Sequence, residues 1–219
     1  ITQKVWKVIF HDYMESFGFW KLTGVTLEWE AFKKLEPYEK RSKAKLFTSS
    51  YWLWISINPL HMATAYSIIA NGGIYIRPNI IRKMKYPDGR VFTYKKEITH
   101  RVIQESTSKI VSSMLVDSVN NWVAKNWKVE WYTIAWKTWT SQIPRNWKYE
   151  IGEWSTWGSF AWFGPYEDPK FVVVVKLDRP KVSNYGGQTS AFIFADIASY
   201  LFDYYGIPET SEIKRLGVN

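Results

Sequence analysis

Apolar side chains at Val5, Val8, Ile9, Tyr13, Met14 and Phe17 recur three and four residues apart, which predicts an amphipathic helix over residues 3–17 closed by Gly18 in a left-handed cap. Because this helix starts at the first residues with no cap ahead of it, a piece of a longer chain is expected. The period then disappears. Residues 17–30 are rich in turn formers and read as a loop with short extended pieces, and the charges from Lys33 to Lys45 read as a solvated connection. Asn58-Pro59-Leu60 restores the helical signal, with Asn as N-cap and Pro at the first helical position. The stripe Met62, Ala63, Tyr66, Ile69 and Ala70 is its expected buried face, and Asn71-Gly72-Gly73 its end. Apolar runs on either side of Tyr86-Pro87-Asp88-Gly89 predict a hairpin within 74–94. A further helix is expected after Ser106 or Thr107, with Ile110, Val111, Met114, Leu115 and Val119 facing inward.

In the second half the pattern changes to β. Trp131 to Ile143 is dominated by β-branched and aromatic residues and fits no helical period, so it reads as a strand. A polar loop is expected over 146–156, a second strand from Ser159 to Phe163, and a third from Phe171 to Leu177 that is apolar enough to be covered on both faces. After Tyr185-Gly186-Gly187 a helix is expected from Thr189 to Tyr205, presenting Ile193, Ile197 and Leu201 and stopped by Gly206-Ile207-Pro208. Residues 1–208 then form one unit of α/β, specifically α+β, type, with antiparallel strands covered by helices, and 209–219 a tail.

Composition narrows the class. A chain of 219 residues with 46% hydrophobic and 22% charged residues is globular, and its longest apolar run, Phe171 to Val175, is far short of a bilayer span. Cysteine is absent, which removes disulfides and thiolate metal sites. His11, His61 and His100 are too dispersed for a metal site and read as ordinary helix or surface histidines. The net charge of +9 is spread in small clusters among 20 acids, which fits a solvated basic surface facing an anionic polymer or membrane better than a nucleic-acid track. The anomaly is tryptophan: fourteen residues, against twelve glycines.

The chemistry lies in the strand Trp131–Ile143. Lys137, Thr138 and Thr140 put a cation beside two hydroxyls on extended backbone, a set that can hold a carboxylate while the strand edge pairs with an extended peptide. Taken alone, the triplet is an ordinary polar strand. Reading Gly at Trp136 and Trp139 turns the stretch into Ala-Gly-Lys-Thr-Gly-Thr, which resembles the Lys-Thr-Gly motif of penicillin-binding proteins and serine β-lactamases. Further blocks agree with it: Phe17-Gly18-Phe19-Trp20 through Thr23-Gly24 to Glu30, Asn58-Pro59-Leu60-His61-Met62-Ala63 to Gly72-Gly73, and Ser159-Phe160-Ala161-Trp162-Phe163-Gly164-Pro165 with Tyr185-Gly186-Gly187. Together they are similar to the C-terminal portion of a class B penicillin-binding protein transpeptidase domain.

That resemblance implies the penicillin-binding-protein and serine β-lactamase type of antiparallel sheet covered by helices. It implies a serine-type peptidoglycan D,D-transpeptidase that needs no cofactor or metal and binds stem peptides and β-lactams. It implies work with a membrane glycosyltransferase and other division or elongation proteins, not with nucleic acid. The catalytic domain would lie on the outer face of the cell membrane, anchored by an N-terminal segment absent here. Lys137 is the implied catalytic cation, near the nucleophile and the acceptor carboxylate; Thr138, Trp139 and Thr140 are the implied substrate-binding positions, with the backbone after Trp139 lining the oxyanion region. The family's Ser-x-x-Lys and Ser-x-Asn motifs precede the Phe-Gly-Phe block, so no catalytic serine carries over, and this portion alone is expected to be inactive. Ser141 and Ser159 read as strand hydroxyls.

Trp20, Trp29, Trp54, Trp136, Trp139 and Trp162 fall where the family pattern has Gly, and most of the other tryptophans fall at plausible Gly sites, Trp154 and Trp157 less clearly. The expected cause is a UGA codon read as Gly in the source cell and written as Trp here. Two rival functions are set against the transpeptidase. Taken literally, the tryptophans would make a carbohydrate-binding module without catalysis, although Trp136 and Trp139 must point to opposite faces of a strand. A serine β-lactamase or D,D-carboxypeptidase relative shares Lys-Thr-Gly but not the other blocks.

Overall fold

In the computed structural model, which describes residues 7–25, 30, 37, 40, 42, 57–121, 132–146 and 148–210, local signals set the ends of the elements. The chain divides into two units, residues 1–105 and 106–219. In the first, helix α1 spans Lys7–Ser16 and ends as expected at Gly18, whose φ is +84°. Helix α2 spans Pro59–Ala70; the Asn58 carboxamide accepts the His61 N–H at 2.8 Å, which satisfies one of the donors a helix start leaves free. At its far end the left-handed Gly73 has φ +97°, and a Cβ there would fall 2.1 Å from the Ile103 carbonyl oxygen. Only glycine fits.

The buried face of α2 is wider than one stripe. Met62 and Tyr66 are buried as expected, but so are His61, Thr64, Ala65 and Ile68, whereas Ala63, Ile69 and Ala70 are half-buried. His61 is therefore no surface residue: only 3% exposed, its Nε2 lies 2.7 Å from the Lys21 carbonyl, which requires that nitrogen to carry a proton and donate. The adjacent Glu30 carboxylate accepts both the backbone N–H and the hydroxyl of Thr23, tying the loop to α2. Burial pushes the Tyr66 phenol above its ordinary range and keeps it neutral.

Strand β1 (Ile74–Ile76) does not enter the expected hairpin but pairs antiparallel with β4 (Ile98–Arg101), across a bulge at Tyr75 and Ile76. The hairpin itself is β2 (Lys83–Lys85) against β3 (Val91–Thr93), closed at Gly89 with φ +86°. Ile68, Tyr75 and Val102 form one core cluster of this unit, with Phe17 and Ile103 packed on it.

The second unit begins with helix α3 (Glu105–Asn121). It starts before the expected caps, with Glu105 in the first turn where a negative charge suits the helix dipole. Its buried positions include Ser108 and Ser112, while Ile110 and Met114 of the expected inner stripe are 56% and 63% exposed. Strand β5 (Ala135–Gln142) follows, then a two-residue ladder of β6 (Pro144–Arg145), ahead of the expected loop, and β7 (Lys148–Tyr149), inside it. Strands β8 (Thr156–Gly164) and β9 (Phe171–Asp178) complete a three-stranded antiparallel sheet in the order β5-β8-β9. Thr140 lies opposite Gly158, and Phe160 opposite Val175. Central β8 is buried along nearly its whole length; β9, expected to be covered on both faces, is an edge strand among the described residues and mostly half-buried.

Helix α4 (Ser190–Tyr205) packs on one face of this sheet and ends at left-handed Gly206. It does so through Ala191, Phe194, Ala198 and Phe202, all fully buried, while the expected Ile193 is 41% exposed and Ile197 and Leu201 lie beside the core. Aromatic contact decides the rotation: Phe194 stacks on Phe160 at 4.3 Å and meets Trp162 edge-on at 5.0 Å. Where the tail was expected, Thr210 is buried and accepts the Thr133 N–H at 2.9 Å.

Six tryptophans fall among the described residues, and they differ in fit. Trp20 and Trp154 hold φ of +64° and +61°, a region that costs an L-residue about 1–2 kcal/mol and that glycine enters freely. Trp136 and Trp162 are buried with indole N–H groups that find no acceptor. Trp157 is satisfied: its N–H donates to Asp178 at 2.9 Å and Lys176 lies 4.2 Å from its ring. Because Trp154 is strained yet 38% exposed, Trp154→Gly is expected to stabilise the protein by about 1 kcal/mol. An unchanged or lower urea midpoint would count against strain there.

Candidate active site on the β5 edge

Strand β5 is the outer strand of its sheet, and no other strand pairs with its free edge among the described residues. Alternation puts Trp136, Thr138 and Thr140 on the face that carries α4, and Lys137, Trp139 and Ser141 on the other. Carbonyls on the free edge are met by side chains. The Ser118 hydroxyl, whose one proton is shared with the Leu115 carbonyl at 2.7 Å, lies 3.0 Å from the Trp136 carbonyl, and the Lys137 ammonium donates to the Thr138 carbonyl at 3.0 Å. Lys137 thus leaves the face opposite the two threonines yet brings its charge to the edge they share. Thr138 and Lys137 are joined there by geometry that sequence spacing alone does not show.

A turn of 3₁₀ helix, Gly186–Gln188, stands over the threonine side of the strand. The Gly186 N–H donates to the Thr140 hydroxyl oxygen at 3.0 Å. A Cβ on Gly186 would lie 2.8 Å from the Trp139 carbonyl oxygen and 3.0 Å from the Ser159 nitrogen, so the turn approaches both strands as bare main chain. A Cβ on Gly187 would make ordinary contact, 3.8 Å, with the Thr138 methyl. Lys137 and Thr140 are exposed, and Thr138 and Trp139 half-buried. An ammonium and two hydroxyls therefore line an open main-chain edge, a set suited to an extended peptide that ends in a carboxylate. No group of three or more His, Asp or Glu able to hold a metal occurs among the described residues.

Ser159 is 2% exposed in the middle of the sheet, consistent with a strand hydroxyl. Ser106-Thr107-Ser108-Lys109 and Ser118-Val119-Asn120 spell Ser-x-x-Lys and Ser-x-Asn on α3. They are twelve residues apart on one helix, about 18 Å along its axis, and cannot converge on one point of β5. The carbohydrate reading loses its platform as well. Trp136 and Trp162 are 6% and 0% exposed, which leaves no face for a sugar, and Trp139 stands on the opposite side of the sheet.

The model for the penicillin-binding protein transpeptidase domain matches residues 1–199. Among curated relatives, stage V sporulation protein D of Bacillus subtilis is 30% identical over 98% of this chain and 34% of its own length. Penicillin-binding protein PbpB of Mycolicibacterium smegmatis is 29% identical over 95% of the chain and 34% of its own length. The chain spans about a third of the length of these relatives. Among solved structures, penicillin-binding protein 3 of Mycobacterium tuberculosis superposes with a TM-score of 0.85 at 25% identity, covering 95% of this chain and 49% of that one; it has also been solved with aztreonam and with ampicillin.

If the Gly186 N–H depends on Thr140, Thr140→Val leaves a buried donor unpaired and is expected to cost about 1–3 kcal/mol, whereas Thr140→Ser stays within about 0.5 kcal/mol of the parent. Chemical denaturation separates the two; a loss in Thr140→Ser with none in Thr140→Val would mean the methyl, not the oxygen, matters.

Proposed function

The chain belongs to the penicillin-binding protein transpeptidase family, and from that premise we propose that it is the sheet portion of a peptidoglycan D,D-transpeptidase whose β5 edge binds the stem peptide. The observation that carries this is the open main-chain edge of β5, with Lys137, Thr138 and Thr140 gathered along it. The donor peptide adds as a strand beside β5 and its terminal carboxylate takes the Thr140 and Thr138 hydroxyls. A serine supplied elsewhere in the intact protein attacks the D-alanyl-D-alanine carbonyl. An ester to the serine forms, the terminal D-alanine leaves as the amine, and a neighbouring stem-peptide amine then displaces the serine to form the cross-link. Lys137 supplies positive charge beside the nucleophile and the carboxylate, and the backbone after Trp139 faces the developing oxyanion. A β-lactam enters by the same edge through its own carboxylate. The protein works at the outer face of the cell membrane with a glycosyltransferase and other proteins of division or elongation.

Acylation of the intact protein by a fluorescent penicillin tests this directly. Lys137→Ala is expected to slow it about 100-fold while the melting temperature changes little. Equal rates in the two proteins would remove Lys137 from the chemistry, and an intact parent that takes no label would remove the transpeptidase reading.

We also infer that the tryptophans at 20, 136, 139, 154 and 162 are glycines in the protein the source cell makes, with UGA as the codon. Supporting this are the left-handed backbone at 20 and 154, the unpaired indoles at 136 and 162, and the place of 139 in the peptide-binding strand. An added strand lies only about 4.8 Å away, and an indole at 139 stands over that approach. Mass spectrometry of native peptides spanning residues 137–140 should show Gly at 139. Trp in those peptides, or UGG in the gene, would end the recoding idea.

A further inference from the structure

The Thr140 hydroxyl has a single proton and two lone pairs, so what it offers a ligand depends on what its oxygen already accepts. The Gly186 N–H donates to that oxygen at 3.0 Å. A donor pointed at the oxygen repels the hydroxyl proton from that direction, and Thr140 is exposed on its remaining side. We propose that the Gly186 backbone N–H is a positioning group for Thr140, turning its hydroxyl proton outward so that the threonine serves the β5 edge as a dedicated donor to a free carboxylate. This rests on the transpeptidase reading and adds to it a residue that works through another.

The surroundings of Gly186 fix its aim. Glycine lets the turn reach the Trp139 carbonyl and the Ser159 backbone, which a Cβ would meet at 2.8 and 3.0 Å. A second glycine makes the seat. Gly158 lies opposite Thr140 across the ladder, and a Cβ there would come within 3.1 Å of the Gly186 Cα and 2.9 Å of the Thr189 hydroxyl oxygen. The turn is closed on itself by the Gln188 N–H to the Tyr185 carbonyl at 2.9 Å and by the Thr189 hydroxyl to the same carbonyl at 3.1 Å. It runs straight into α4, whose Ala191 and Phe194 are fully buried in the sheet core. The N–H is therefore held by main-chain packing on one side and by a helix anchored in the core on the other. A free threonine hydroxyl can rotate to donate or to accept. With one lone pair taken and its proton turned outward, Thr140 is biased towards donation, and a donor holds a carboxylate more strongly than the neutral carbonyl of an ester or amide at the same place.

The discriminating quantity is the ratio of second-order acylation rates for a β-lactam with a free carboxylate and for its methyl ester, measured on the intact protein. Gly186→Ala displaces the N–H with its new Cβ and is expected to lower this ratio about tenfold or more while the rate with the ester stays within about threefold. Gly158→Ala, which pushes the turn from beneath, should lower the ratio in the same direction, so the test survives if either variant fails to fold. Thr140→Ser should keep the ratio, and adding Gly186→Ala to Thr140→Val should lower it no further than Thr140→Val alone, since both act through one hydroxyl. A ratio unchanged in folded Gly186→Ala and Gly158→Ala, equal losses with acid and ester, or additive losses in the double variant would overturn the proposal. If the parent is acylated by neither compound, the transpeptidase reading itself falls and takes this inference with it.

Discussion

Main-chain contact without side chains in between, at Gly158 and Gly186, is the constraint on which the second unit depends. Strand β8 holds a ladder on either side, with β5 and with β9, and has no free edge with which to adjust. The Gly186 turn comes down on the seam between β5 and β8 so closely that a Cβ on Gly186 would collide with the Trp139 carbonyl oxygen at 2.8 Å, and one on Gly158 would press on the Gly186 Cα at 3.1 Å and the Thr189 hydroxyl at 2.9 Å. Contacts of this kind are stiffer than side-chain packing, because a rotamer change cannot relieve them. The helix that follows is held by rings stacked on the same β8, so the position of α4 and that of the turn are set together. Thr140 inherits that precision through one hydrogen bond.

Magnitudes sort the tryptophans more sharply than a count does. Burying an indole of about 150–250 Å² is worth roughly 4–6 kcal/mol, and leaving its N–H without an acceptor costs about 1–3 kcal/mol. The unpaired N–H groups at Trp136 and Trp162 thus strain the core without forbidding a fold that contains them. Position 154 has no such offset, since its backbone is left-handed and its ring is only partly covered. Position 139 is different in kind. An indole there need not destabilise the sheet at all; in the proposed function it competes with the added peptide strand. Stability and function therefore bear on the same letter at different positions.

Punctuation residues were the most legible part of the sequence. Asn58-Pro59, Gly73, Gly89 and Gly206 act within a few residues of themselves, and each ends or turns the chain where its chemistry demands. The three long strands were also legible, because β-branched and aromatic runs of this length have few alternatives. Helix faces were not. A periodic stripe assumes one buried side, whereas α2 is enclosed on several and α4 turns its small Ala191 and Ala198 inward so that Phe194 and Phe202 can reach the sheet. The pairing of β1 with β4 was invisible for another reason: strands of three and four residues joined across a long insertion leave no local signature. At the site, Lys137, Thr138 and Thr140 announce themselves as side chains, while the Gly186 donor is a backbone group forty-six residues from its acceptor and has no letter of its own.

An exposed sheet edge invites pairing with any strand, and proteins usually blunt it. Strand β5 is blunted over part of its length. At Trp136 the carbonyl is approached by the Ser118 hydroxyl of α3, and at Thr138 it is taken by the Lys137 ammonium. From Thr138 onward the edge is open, and it spans four or five residues, about 14–17 Å at 3.4 Å each. A stretch of that length is short for a stable added sheet strand but sufficient for the end of a peptide. At its centre stands Thr140, whose oxygen accepts the Gly186 N–H from within the fold. In the proposed function the open length would accept an extended main chain of any sequence, so a preference for a chain that ends in a carboxylate would have to come from Lys137 and the two hydroxyls. Recognition would then be divided: shape and backbone pairing would select a strand, and three polar groups its terminus.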